Sequence, residues 1–474
     1  DNGSGFIELL SDGRTVDFVR FGDSSAAPTS SSAWGDSEAP SLPILDENYG
    51  YAIARDASNT DTNASDDWTL RDFATPGGPN DVTTTEDQDN DGIPDANETE
   101  GSTFAGLPLY EWGARPDTPD AFIHIDYMDS NDPMLTPRQA ALDAVVEAFD
   151  EQGINLHLDV GDLYDNASGT NPSAYDLSDR SHQVPFDQSL WIGDREGYAN
   201  VYEYKYQHMP VARKQIFHYA LFGYSQTADG TDSPSGRGEI YGNDFIVTLG
   251  GIGLTADGTA EDRNLLENFQ AATFMHEFGH NLGLKHGGDE HQNYKPNYFS
   301  IMNYLYQLRM LPDIGTADEE GDRYYLQYGY PGYDDGVDLH KNPYDNSPSA
   351  VNMDFSHGDG ADIDETSISE ADGLGQTDSS GVDYDGDGNI DAGIEHNINQ
   401  KWSSETSTIS DYDDWANIEL FFGRTYYGDS SGVQIQSSDD DSQAIYEDPV
   451  WDDRQQVYPE EPPTKMIEWL ERQE

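Results

Sequence analysis

Residues 276–286 read His-Glu-Phe-Gly-His-Asn-Leu-Gly-Leu-Lys-His, and no other stretch limits the fold as tightly. On an α-helix His276 and His280 stand one turn apart on one face, so both imidazoles can reach a single tetrahedral ion. Glu277 follows the first of them and can take a proton from water at the open side of such an ion. Gly283 stops the helix, because a sharp reversal needs a positive φ that glycine adopts at little cost. The reversal returns His286 as a third ligand. Three neutral imidazoles with one position left open suit zinc. An accidental match of the five fixed residues in a chain of 474 has a probability of roughly 10⁻⁴. A core helix gains nothing from three titratable rings. Leu265, Leu266, Phe269, Ala272 and Thr273 precede His276 at helical spacing, which predicts a helix starting between Thr259 and Glu261.

A short loop after the third histidine comes Ser300-Ile301-Met302-Asn303-Tyr304. With the extended histidine motif, it resembles the Met-turn of the metzincin zinc proteases. The resemblance implies His276, His280 and His286 as zinc ligands, Glu277 as general base and Met302 as an apolar floor beneath the imidazoles. Tyr304 matches the tyrosine that binds zinc or steadies the oxyanion in the astacin and serralysin branches. Met310 and Met353 lack the flanking pattern. The residue after the third histidine is Gly287, where the best-known branches carry Asp, Ser, Glu or Pro, so the branch is left unassigned. The implied fold is α+β: a twisted mixed sheet with an active-site helix and an irregular lower half. Its antiparallel edge strand, which pairs with substrate backbone, is expected between Gln215 and Phe245. The implied activity is hydrolysis of polypeptides. Two alternatives stand beside it: an adhesion or matrix protein on a protease scaffold, and a zinc amidase or deacylase acting on a non-peptide bond.

The charge balance bears on where such a chain works. Ninety-two acidic against 23 basic residues give a formal net charge of −69. That surface repels nucleic-acid phosphates and anionic lipid, so neither is an expected partner. An acidic disordered chain would lack the 29 tyrosines, 18 phenylalanines and 8 tryptophans present. The reading adopted is a folded halophilic protein, because at about 1 M salt the screening length falls to about 3 Å. An ordinary secreted calcium-binding protein is the competitor. There is no cysteine, so disulfides are excluded and bound calcium is the expected substitute in an extracellular setting. No apolar run approaches the roughly 20 residues of a membrane span. Asp1 is not an initiator methionine, and the chain reads as processed, secreted or held at the cell surface.

Four regions are expected. Residues 1–81 alternate short apolar runs with turn clusters, including a hairpin of Phe6–Leu10 and Thr15–Phe21 around Ser11-Asp12-Gly13. Trp34, residues 51–55, Asp67-Trp68 and Ala74-Thr75-Pro76-Gly77-Gly78-Pro79-Asn80 resemble the second half of a lamin-tail domain, which implies a small immunoglobulin-like all-β domain. That domain either binds a cell-surface partner or is a plain structural module. Residues 82–103 form an acidic linker in which Asp87, Asp89, Asp91, Asp95 and Glu98 occupy loop positions 1, 3, 5, 9 and 12, with Gly92 at 6. That spacing suits calcium, and its pattern resembles thrombospondin type 3 repeats; a merely solvated linker is the alternative. Residues 104–432 are the expected catalytic domain, and 433–474 an acidic tail with a short helix at Pro463–Arg472.

Within the catalytic domain, Ala121–Tyr127 and Ile154–Val160 read as strands flanking a helix from Pro137 to Phe149, with Thr136 as N-cap. Leu142, Val145, Val146 and Phe149 fall on one face of that helix. His124 and His157 are expected to be ordinary strand residues, and residues 161–212 a long run of loops. Gln215–Tyr224 and Asn243–Leu249 are further strands. His291 is the one rival to the three histidine ligands. Asp383, Asp385, Asp387 and Asp391 around Gly388 suggest a second calcium loop, although Ile394 holds its twelfth position and the nearest carboxylate is Glu395. Asp411–Trp415 and Ile418–Phe422 are expected to pack under the catalytic domain.

Overall fold

The computed structural model describes residues 4–30, 32–35, 52–165, 174–178, 180–231, 233–253, 260–308, 311–312, 351–373, 381–385, 387–399 and 405–420. Tyr51, Met310, Phe421 and Phe422, the acidic tail and the terminal helix expected from the sequence lie outside these. The described residues fall into two compact units. One holds those of Asp1–Phe122 and Met209–Phe217 with Leu420, the other those of Ile123–His208 and His218–Glu419.

The first unit opens with β1 (Gly5–Ser11) and β2 (Arg14–Phe21), an antiparallel hairpin in which Ser11 pairs with Arg14. Its two-residue loop, Asp12 at φ 50° and Gly13 at φ 73°, has the paired positive φ that matches strand twist. Phe18, Val19, Ala33 and Trp34 form the small core beneath it, whereas Phe6, Ile7, Leu9 and Leu10 of β1 stay exposed. A second antiparallel pair joins β3 (Ala52–Ala54) to β4 (Thr69–Arg71). Arg55 bonds Asp17 at 2.7 Å and lies over the Trp68 ring. The Thr75–Asn80 stretch turns back on residues 103–106, where Asp81 accepts the N–H groups of Ala105 and Gly106. Gly78 is obligatory there: a Cβ would come 1.9 Å from the Ala105 carbonyl oxygen. The helical turn α1 (Leu109–Trp112) ends at Gly113, φ 119°, and sets Trp112 against Phe217.

The second unit is a mixed α/β layer built on a six-stranded sheet. Its strands are β5 (Asp120–Met128), which enters from the first unit, β6 (Asn155–Asp159), β7 (Gln183–Val184), β10 (Phe217–Gly223), β11 (Gly236–Gly238) and β12 (Asp244–Thr248). The order is β11-β12-β10-β5-β6, with β7 pairing β5. β10 runs parallel to β12 and β11 antiparallel to it, so an antiparallel strand closes the sheet within the interval expected from the sequence. Every residue of β5, β10 and β12 is buried, as in a sheet covered on both faces, the polar Asp120, His124, Asp126, His218 and Asp244 included. β8 (Leu190–Trp191) and β9 (Ala199–Asn200) form a separate parallel pair.

Among the described residues three helices complete the layer: α2 (Gln139–Asp150), α3 (Val201–His208) and α4 (Ala260–Asn281). Thr136 does not cap α2. The cap position is Arg138, whose N–H is taken by the Gln270 side chain of α4 at 2.9 Å, while Gln270 Nε2 donates to the Met134 and Thr136 carbonyls. A distant side chain thus supplies what a local cap would have. Leu142, Val145 and Phe149 are buried and Val146 is half-buried. The described residues of 161–212 hold more regular structure than a run of loops, with β7, β8, β9 and α3 among them. α3 was illegible because its tyrosines surround the helix and one of its buried residues is Lys205, whose ammonium bonds Asn243 Oδ1 at 3.0 Å and Asp244 Oδ2 at 2.9 Å. Phe299, Tyr306, Ile363, Ile368, Tyr384 and Ile409 share a separate core joined by short antiparallel pairs. Trp415 packs against Phe149 and Phe355. Among the described residues no helix is long and apolar enough to cross a membrane.

Candidate active site

α4 runs for 22 residues and is buried from Leu265 onward on its sheet-facing side, with Phe274 and Phe278 against Phe245. It stops where the sequence demands. Gly283 has φ 99°, the Gly283 N–H returns to His280 O at 3.0 Å and the Leu284 N–H to Gly279 O at 2.9 Å, the paired bonds of a Schellman turn. That turn delivers His286. The ligand nitrogens of His276, His280 and His286 lie within 4.8 Å of one another, and all three side chains are buried.

Hydrogen bonds set the tautomers of the first two rings. His276 Nδ1 donates to Ile301 O at 2.8 Å and His280 Nδ1 to Leu284 O at 2.7 Å. A carbonyl only accepts, so each Nδ1 carries the proton and each Nε2 presents its lone pair. Both ring nitrogens of His286 are buried with no hydrogen-bond partner. Burial, then the neighbouring His280 and His276, hold its pKa well below the ordinary histidine value, so the ring is neutral. A buried imidazole without a protein partner beside two oriented ones fits a metal with nitrogen ligands, and zinc meets that donor set. His291, the rival, lies half-buried outside this group.

Glu277 is buried against β11. A Cβ on Gly236 would lie 2.5 Å from its Oε1 and 2.7 Å from its Cγ, and a Cβ on Gly238 3.2 Å from its Oε2. Two glycines therefore make room for the carboxylate next to the sheet edge. β11 is itself fixed by Gln226, whose Nε2 donates to Gly236 O at 2.7 Å and whose Oε1 accepts Arg237 Nε at 2.8 Å. Asn281 at the helix end donates to Glu239 O at 2.9 Å, which locks α4 to the same edge.

Met302 is fully buried beneath the helix: a Cβ on Gly279 would come 2.5 Å from its sulfur. The Ser300–Asn303 turn is closed by Asn303 N–H to Ser300 O at 3.0 Å, and the Asn303 amide donates to Lys295 O and Tyr298 O. The half-buried Tyr304 ring stands 4.3 Å from that of His286 between centroids. Met353 is also buried. Gly287 has a steric reason of its own, since a Cβ there would meet Gln292 O at 2.2 Å. Beside it the buried Lys295 ammonium donates to Gly287 O and Ser410 O, both at 2.7 Å, and to Glu290 at 3.1 Å.

Other expected site residues are only partly brought together. Asp87, Asp89 and Asp91 cluster, and Asp91 forms a second group with Glu98 and Asp120. Asp95 joins neither; its Oδ1 accepts the Gln88 N–H at 2.8 Å. Asp120, unrecognised in the sequence because it sits 29 residues beyond Asp91, gives its N–H to Asp91 Oδ2 at 2.8 Å. Burial first, then the neighbouring carboxylates, pushes Glu98 up to about 10, and burial pushes Asp91 up to about 9 and Asp89 to about 6. In the second acidic loop, Asp383 and Asp385 meet the buried Glu370, not Asp387 or Asp391. Glu370 accepts the backbone N–H groups of Tyr384 at 2.7 Å and Asp391 at 2.8 Å, which ties that loop together.

His124 is a buried residue of β5 met by its neighbours. Its Nε2 donates to Asp126 Oδ1 at 3.1 Å, and its ring stacks 4.0 Å from His182, whose Nδ1 donates to Ile125 O and whose Nε2 accepts from Ser178 Oγ. Tyr219 donates to Asp126 Oδ2 at 2.8 Å. These partners satisfy one another, and the cluster is a buried hydrogen-bond network within the sheet; His157 stands outside it. In comparisons with known proteins, no family model matches the chain, and no curated protein matches it.

Proposed function

We propose that the chain is a secreted, salt-adapted zinc endopeptidase with a metzincin-type catalytic region. The observation that carries this reading is the convergence of His276, His280 and the partnerless His286 beside a buried carboxylate at a sheet edge. These three residues would hold zinc, which when bound supplies Lewis acidity that lowers the pKa of water and polarises a carbonyl. β11 offers its outer edge to an extended peptide, while the glycines at 236 and 238 make room for the Glu277 carboxylate beside it. Glu277 takes a proton from the attacking water and hands it to the leaving amine. The Tyr304 hydroxyl stabilises the oxygen of the attacked carbonyl, a hydrogen bond worth most once that oxygen bears charge. Met302 fills the space under Gly279 and keeps the helix from shifting. The β-region of residues 1–81, with its lamin-tail-like sequence, is assigned a tethering role outside the chemistry.

The test is Glu277→Gln in molar salt. Zinc content measured by atomic emission should stay at the wild-type level while casein hydrolysis falls at least 1,000-fold. Retained turnover would remove the base assignment, and a wild-type protein that holds zinc but cuts no polypeptide would favour the amidase alternative.

A further inference from the structure

We propose that Asp87, Asp89, Asp91, Glu98 and Asp120 form one calcium site that fastens the acidic linker to the first residue of β5. The inference is independent of the histidine centre.

The oxygens of Asp91, Glu98 and Asp120 approach within 4.8 Å of one another, all three side chains are buried, and Asp91 also belongs to the group with Asp87 and Asp89. Carboxylates this close repel unless protons or a cation intervene. The hydrogen bonds show which oxygens are already spoken for. Asp87 accepts the N–H groups of Asn90 and Gly92 at 2.7 and 2.9 Å, which bends the loop around it, and Gly92 makes the bend at φ 88°. Asp91 accepts from Ile93 at 2.7 Å and from Asp120 at 2.8 Å, while Asp120 Oδ2 accepts the Arg115 N–H at 2.9 Å. Glu98 differs. It is wholly inaccessible, and both of its oxygens, like both oxygens of Asp89, are buried with no hydrogen-bond partner. Burying a carboxylate without a donor costs several kcal/mol, and a cation held in this cluster would give both Glu98 oxygens a partner.

An all-oxygen shell of five carboxylates favours calcium over magnesium, which demands tighter octahedral geometry and keeps most of its water. The site also explains why the stretch is ordered. Two short apolar anchors, Ile93 and Val82, are all the core that the linker carries, and the ion would tie it to Asp120 instead.

The test uses the full chain in molar sodium chloride after treatment with a chelator. Calorimetric titration with Ca2+ should show tight binding that Glu98→Gln and Asp120→Asn each weaken at least tenfold, whereas Asp95→Asn leaves the affinity unchanged. Magnesium at equal concentration should not compete. If Glu98→Gln destabilises the apo chain, Asp89→Asn, on a half-buried side chain, provides the same readout in a protein that circular dichroism shows to be folded. Unchanged calcium binding in the Glu98, Asp120 and Asp89 variants, or a loss in Asp95→Asn equal to theirs, would overturn the proposal.

Discussion

Gly236 lies against the Glu277 carboxylate so closely that a single methyl group on it would stand 2.5 Å from Oε1. The sheet edge and the carboxylate are thus fitted to each other, although 41 positions separate them in the chain (277 − 236). Gly236→Ala should therefore push Glu277 aside. The same Cβ would also meet Ile246 O at 2.7 Å, so the strand must shift as well, at a cost of roughly 1–3 kcal/mol. Turnover is expected to fall at least tenfold with zinc content unchanged, as read by steady-state kinetics beside metal analysis. Full activity would mean that the fit has no catalytic meaning.

Lys295 anchors the loop that carries the third histidine. Lys295→Met should leave Gly287 O and Ser410 O buried without their present donor, costing about 1–3 kcal/mol for each orphaned acceptor. Zinc affinity is expected to drop more than tenfold in competition with a chromophoric chelator, because His286 is then held less firmly. Equal affinity in the two proteins would show that Gly283 and Gly287 set the loop unaided.

Asp414 gives a pH dependence with a definite sign. It is fully buried, accepting the Tyr298 hydroxyl at 2.9 Å and the Ser356 N–H at 3.0 Å, and burial raises its pKa from 3.8 to about 7. The folded form then binds its proton more tightly than the unfolded one. Its stabilising contribution is complete below about pH 4 and is lost as pH rises to about 7, at up to about 1.4 kcal/mol per pH unit. Denaturant unfolding between pH 4 and 8 should show that slope in wild type, and Asp414→Asn should flatten it. A variant with the parental slope would assign the dependence to the other raised carboxyls, Asp91, Glu98 and Asp411 among them.

A net charge of −69 predicts that salt holds the fold together. Lowering ionic strength from about 1 M to about 0.1 M lengthens the screening distance from about 3 Å to about 10 Å, beyond the spacing of neighbouring surface charges. Circular dichroism during stepwise dialysis should record a falling melting temperature and unfolding at low salt. A melting temperature indifferent to salt would count against halophilic adaptation.

Much of the site was legible because it is local. His276, Glu277, His280, Gly283 and His286 sit within 11 residues, where helix pitch and one positive-φ turn dictate the geometry and no distant partner is needed. The strands β5, β10 and β12 were readable for a similar reason, since their buried apolar residues carry a local signal, and β6 was readable from its alternating Leu156 and Leu158. α3 was not, because its tyrosines give no apolar stripe and Lys205 is buried through an ion pair made far along the chain.

By itself the sequence determined the histidine triplet, the carboxylate beside it, the turn that closes the helix and the excess of acid. Only the tertiary structure decided which glycines make room for Glu277, that Gln270 stands in for a cap on α2, that Asp120 and not Asp95 completes the first acidic cluster, and that Glu370 fills the second. The division has one physical cause. Backbone geometry acts over a few residues and leaves a pattern, whereas close approach and buried charge are settled by whichever segments the sheet brings together, and composition keeps no trace of that meeting.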